Sequence, residues 1–216
     1  ARALLDFLKV ESAYVVGHSG GGGPALADAA LNSDLVRSVA AVATFAPRYE
    51  MGPKWREGLE ANEPEITAHD EGESRLREDL EVAAAEMGKA RSAEDITSHP
   101  DFPKFYSAVD QACFEGEFLD FVLELRRHTQ ELVDGWVDDD FALFGHWNFD
   151  LDAIRVPVAI WQGGKGNDKL IPVAHAEWLA AHVPGARYRP RPEEGHVSLL
   201  NHRFGEILDD LIDLAK

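Results

Sequence analysis

Apolar residues recur at two different periods along the chain, and the alternation between the two predicts its elements. Ala3, Leu4, Phe7 and Leu8 stand at helical spacing, and the run Ala13-Tyr14-Val15-Val16-Gly17 that follows reads as a short buried strand. After Gly20 to Gly23, Pro24 sits where a first helical turn tolerates proline, and Ala25 to Leu31 continues as an alanine-rich helix. A second strand is expected over Ser38 to Phe45, closed by Ala46-Pro47. Much later, Val156 to Gln162 predicts a strand, Pro172 to Val183 a helix ended by Pro184-Gly185, and Ala186 to Pro192 another strand. Phe204, Ile207, Leu208, Leu211 and Ile212 then mark the apolar face of a C-terminal helix. Strands alternating with helices, with no hairpin signal, predict a mostly parallel sheet of the α/β class with flanking helices.

Between Glu50 and Asp140 the strand signal vanishes. Leu76, Leu80, Ala84 and Met87, then Phe114, Phe118, Phe121, Leu125, Leu132 and Trp136, keep helical period, which predicts a helical insertion with one buried face. Gly135 is the expected break in the later helix, ahead of Asp138-Asp139-Asp140. This segment holds 25 acidic and 9 basic residues, so it carries −16 of the chain's net charge of −18. The organisation read from this is a core of residues 1–48 and 150–216 and a helical acidic cap over 49–149. The aspartate run lacks the alternate spacing and glycine of a calcium loop and reads as a solvated face.

Composition narrows the function classes. A length of 216 residues suits one domain, or one domain with an insertion, and 45% apolar residues are enough for a sizeable core. The negative field repels phosphate backbones and anionic lipid heads, so neither nucleic acid nor a membrane surface is expected as a partner. One cysteine, Cys113, permits no internal disulfide and no cysteine-based metal site. Without a signal-peptide pattern or an apolar run near 20 residues, cytoplasm is the expected location.

Gly17-His18-Ser19-Gly20-Gly21 is a G-x-S-x-G motif between a predicted strand and a predicted helix. A serine on so sharp a turn takes a strained backbone, and the flanking glycines are expected to remove side chains that would strike the strand and the helix. The hydroxyl then projects above the sheet, and the N–H of Gly20, at a helix start, faces the place where negative charge develops on an attacked carbonyl oxygen. Such a serine needs a base oriented by an acid, in loops at the carboxyl ends of later strands. Two loops fit: Gly163 to Asp168, with Asp168 just before a helix, and Glu193-Glu194-Gly195-His196.

In these features residues 1–48 and 150–216 resemble the C-terminal two thirds of an α/β-hydrolase, most closely the actinobacterial-type hydrolases with a helical cap; Asp134-Gly135-Trp136-Val137 and Trp161-Gln162-Gly163 add to the likeness. The resemblance implies Ser19 as nucleophile, Asp168 as acid, His196 as base and the Gly20 N–H as oxyanion donor. It also implies that the family's first strands, and a histidine-glycine loop with the second oxyanion donor, belong before the nucleophile, where this sequence has about a dozen residues ahead of the strand. His18, Trp136, His146 and Trp147 are the candidate substrate-binding residues. Asp150 and Asp152 precede their strand and are expected at the wrong end of the sheet, Glu193 and Glu194 remain rival orienting acids, and His175, His182 and His202 read as surface or second-layer residues.

The expected activity is hydrolysis of a small-molecule carboxylic ester or similar acyl compound, with no metal and no cofactor. An aminopeptidase-like amide hydrolase, its substrate amine held by cap carboxylates, is the alternative chemistry, and a catalytically impaired fragment or scaffold the non-enzymatic one. The strand at Ala13 to Gly17 is expected to leave one edge unpaired, to be completed by self-association or by an N-terminal segment.

Overall fold

The computed structural model describes residues 2–216. Helix α1 (Arg2–Leu8) precedes strand β1 (Ala13–His18), which leads through a tight turn into α2 (Gly22–Leu31) and β2 (Val36–Val42). Among the described residues ten further α-helices follow. Eight fill the insertion: α3 (Arg48–Met51), α4 (Glu63–Glu71), α5 (Glu73–Met87), α6 (Ala93–Thr97), α7 (Phe102–Phe105), α8 (Ala108–Gln111), α9 (Gly116–His128) and α10 (Val133–Phe144). The chain then returns to the sheet as β3 (Val158–Gly163), α11 (Val173–His182), β4 (Arg187–Arg191) and α12 (His196–Leu214).

The four strands are parallel in the order β1-β2-β3-β4, with Gly17 beside Ala41, Ala41 beside Ile160 and Ile160 beside Tyr188. Val39–Val42 of β2 and Val158–Trp161 of β3 are continuous apolar runs because both faces of these strands are covered there. On one side Val39, Ala41 and Ile160 pack with Leu26 of α2 and Leu179 of α11; on the other Ala40, Val42 and Trp161 pack with Leu199, Ile207 and Leu211 of α12. β1 pairs with β2 alone, so among the described residues its other edge has no strand partner. No residue of α1 is buried, and Phe7 is 81% exposed.

β2 stops at Val42, since Ala43 takes a φ of +45° that a strand does not allow, and Phe45 turns into a separate cluster with Trp55, Ile66, Phe144 and Ile171. Gly135 does not break a helix: it lies exposed within α10, and the break is the turn Thr129–Leu132, where Thr129 Oγ1 donates back to the Arg126 carbonyl at 2.9 Å. The buried face of α9 is Phe118, Leu119, Val122 and Leu123, leaving Phe121 and Leu125 exposed. Asp138 and Asp139 are solvated but Asp140 is buried, because three consecutive helical positions cannot share one face. On α12, Ile207 and Leu211 face the sheet while Phe204, Leu208 and Ile212 are largely exposed.

Candidate active site

The turn after β1 places Ser19 at the carboxyl end of the sheet with a φ of +55°, a left-handed conformation that costs a residue with a side chain about 1–3 kcal/mol and persists only where its surroundings enforce it. Two contacts do so. Thr44 Oγ1, from the segment after β2, donates to the Ser19 carbonyl at 2.6 Å. A Cβ on Gly17 would lie 2.3 Å from the Gly21 carbonyl oxygen, so glycine is required for the helix to double back this closely. The expected need for glycine on the other side is misplaced by one residue: Gly21 has open space around it, whereas a Cβ on Gly22 would strike Thr44 at 2.2 Å. Gly20 lies in the turn Ser19–Gly21 that opens into α2, at a helix start where the Gly22 N–H donates to the Ser19 carbonyl.

His196 opens α12 and is buried, as is Asp168. Its Nδ1 stands 3.2 Å from Asp168 Oδ1 and 3.3 Å from Oδ2. The carboxylate is itself fixed: Oδ1 accepts from Leu170 N at 3.0 Å and Ile171 N at 2.9 Å, and Oδ2 from Gln162 Nε2 at 2.9 Å. Burial alone would raise the Asp168 pKa, but the facing His196 and these backbone donors outweigh it and hold the carboxyl below its ordinary value. Gln162, fully buried at the end of β3, also donates to the Ile171 carbonyl at 3.1 Å and so ties the acid's loop to the strand. The sequence does not single out this role, because a glutamine in an apolar strand gives no local sign of its partner.

His18 touches His196 directly. Its Nε2 lies 3.0 Å from the His196 carbonyl oxygen, which can only accept, so His18 carries its proton there, and the two rings have centroids 4.8 Å apart. Burial first, and then the nearby His196, lower the His18 pKa to about 4, which leaves it neutral at physiological pH. Ser19 Oγ makes no hydrogen bond to His196 among the described residues, although its neighbour His18 does meet that residue.

Three of the candidate substrate contacts meet at one cleft. Trp136, His146 and Trp147 line a cavity of about 540 Å³ together with Gly20, Leu143 and Asp140. His146 stacks on Tyr49 with centroids 3.7 Å apart, and Trp147 packs down on α2, where a Cβ on Gly23 would come within 3.1 Å of its ring. Asp140, which the sequence placed on a solvated face, is 4% exposed, and its Oδ2 has no hydrogen-bond partner among the described residues. Burial first, then the charges of Glu65 and Asp139, push its pKa up to about 8.

The rival residues lie elsewhere. Glu194 accepts from His202 Nδ1 and Arg203 Nε, and Glu193 from Arg203, so neither orients the His196 ring. Asp150 accepts from the Asp152 amide ahead of β3, at the far end of that strand from Gln162. His182 stacks on Trp178 at the surface, while His175 is fully buried and accepts from the Ala46 amide at 3.1 Å. No helix among the described residues is long and apolar enough to cross a membrane.

Comparison with known proteins agrees with this architecture. Over 56 residues the chain is 41% identical to a pimeloyl-[acyl-carrier protein] methyl ester esterase of Aromatoleum aromaticum, a stretch covering 26% of this chain and 22% of that protein. Among solved structures it resembles a meta-cleavage product hydrolase from Pseudomonas fluorescens, with a TM-score of 0.60, 19% identity, and coverage of 99% of this chain and 69% of that one. It is similar also to the enol-lactonase of Burkholderia xenovorans, with a TM-score of 0.60, 22% identity, and coverage of 98% and 68%. The family model for the alpha/beta hydrolase fold matches residues 1–203, and the chain belongs to that family.

Proposed function

We propose that the protein is a serine hydrolase that cleaves a carboxylic ester or similar acyl substrate through an acyl-enzyme on Ser19. The observation that carries this reading is the position of His196, with Nδ1 facing the buried Asp168 carboxylate and its ring against His18, the residue next to Ser19. A proton held on Nδ1 toward Asp168 leaves Nε2 as the acceptor. Ser19 Oγ attacks the acyl carbon, Nε2 takes its proton, and Asp168 stabilises the imidazolium. The oxyanion receives the Gly20 N–H. Collapse expels the alcohol, protonated by His196, and water activated by the same imidazole releases the acid. The Ser19 to His196 hydrogen bond forms in the substrate complex, where catalytic contacts that are long in the free enzyme commonly close. Residues 49–149 act as the cap, with Trp136, His146 and Trp147 as the acyl-facing wall.

A second reading has one observation in its favour. Asp140 Oδ2 is buried without a partner among the described residues, in the same cleft as Gly20, where it suits a substrate ammonium and so an amide with a free amine. The esterase name of the aligned relative supports the ester instead. A p-nitrophenyl ester and an aminoacyl p-nitroanilide offered side by side separate the two.

A fluorophosphonate probe tests the shared claim, since only an activated serine reacts. One adduct is expected, on the peptide containing Ser19, with none in Ser19→Ala. A folded chain that stays unlabelled, or is labelled elsewhere, overturns the reading and leaves a non-catalytic scaffold.

A further inference from the structure

Helix α12 starts with His196 behind Gly195, and a glycine at the N-cap has no side chain with which to accept from the first amides of the helix. The Gly195 amide donates to Ser198 Oγ at 2.7 Å. The next three amides all converge on one carboxylate from the insertion, that of Asp110 in α8. Oδ2 accepts from His196 N at 3.0 Å, and Oδ1 accepts from Val197 N and Ser198 N at 2.9 Å each. Ser107 Oγ donates to Oδ2 at 3.3 Å, and Asp110 is 0% exposed. The fit depends on Gly195, where a Cβ would stand 2.3 Å from Asp110 Oδ2. A carboxylate facing three amides at a helix N-terminus is held by charge-assisted hydrogen bonds and by the helix dipole together.

We propose that Asp110 is a positioning residue, through which the inserted segment caps the helix that carries His196 and thereby aims its imidazole at Ser19. This rests on the reading of His196 as the general base. His196 is then fixed at three points: its amide by Asp110, its carbonyl by His18 and its Nδ1 by Asp168. Loss of the first frees the opening turn of α12, and a shift of about 1 Å in a catalytic group costs about 10²-fold in rate.

The test compares Asp110→Ala and Asp110→Asn with the parent chain by kcat and KM on a p-nitrophenyl ester, below the melting temperature of each. Asparagine keeps an oxygen for the Val197 and Ser198 amides but turns its NH2 toward the His196 amide. Expected are kcat losses of about 10²-fold for alanine and about tenfold for asparagine, with KM changed by less than about twofold. In an Asp168→Asn background, Asp110→Asn is expected to cost under about threefold, because both residues act through His196. A raised KM at unchanged kcat, or equal losses in both backgrounds, overturns the proposal, and should Asp110→Ala fail to fold, the asparagine variant decides alone. If Ser19→Ala or His196→Ala keeps full activity, the hydrolase reading itself has failed. If those two abolish turnover while Asp110→Asn retains the parent kcat, only the role of Asp110 falls.

Discussion

His18 donates from Nε2 to the carbonyl of His196 at 3.0 Å, and the two rings pack with centroids 4.8 Å apart. This joins the end of the first strand to the start of the last helix, across a sheet in which β1 and β4 occupy opposite edges. The residue between the glycine and the serine of the motif is therefore part of what locates the imidazole, and its burial keeps it neutral so that it adds no charge beside His196.

The space around the motif glycines sets the first expectation. Gly17→Ala drives a Cβ into the Gly21 carbonyl oxygen and should cost about 1–3 kcal/mol of stability together with probe labelling of Ser19. Gly21→Ala meets open space at a φ of −72°, so it should melt within about 0.5 kcal/mol of the parent and still be labelled. Thermal melts and labelling of both variants check this pair, and equal damage from the two would refute it.

The acids are told apart by a second pair. Asp168→Asn exchanges an acceptor for a donor beside His196 Nδ1 and should lower kcat by about three to four orders of magnitude. Asp152→Asn, at the other end of β3, should leave kcat within about twofold of the parent. Steady-state kinetics on one ester substrate decides, and the reverse order would place the active face at the wrong end of the sheet.

Much of this arrangement was legible in the residues. The apolar runs of β1, β2 and β3 and the motif around Ser19 are local signals, and the order serine, aspartate, histidine points to two loops whose Asp168 and His196 side chains face each other. Periodicity alone did not say which stripe of α9 faces inward, since Phe114, Phe118 and Phe121 fit one face and Phe118, Leu119, Val122 and Leu123 another. The parts hardest to read were contacts across long sequence separations. Asp110 reaches His196 over 86 residues, and its only trace in the sequence is a glycine where α12 lacks an acceptor of its own. Asp140 is hidden for a related reason, because its two aspartate neighbours are solvated and composition averages the three.

Asp140 gives a pH dependence with a definite sign. Its pKa is raised from the ordinary 3.8 to about 8, chiefly by burial, and burial pushes Glu65 up to about 7. The folded state then keeps protons that the unfolded chain releases above about pH 4, so these groups lower stability progressively as pH rises from about 4 to about 8. Asp140→Asn removes the larger share. Its melting temperature should gain on the parent between pH 5 and pH 8 by several degrees, about 1 kcal/mol being worth a few degrees in a chain of this size. A gap between the two melting curves that does not change with pH would contradict the assignment.

The central claim is that Ser19, His196 and Asp168 act as one unit, and a double-mutant cycle on kcat measures it most directly. Ester hydrolysis by the parent, Ser19→Ala, His196→Ala and the double variant should show each single change removing nearly all turnover, with the double variant within about threefold of either single one. Losses that multiply in the double variant, or substantial turnover without Ser19, would contradict it.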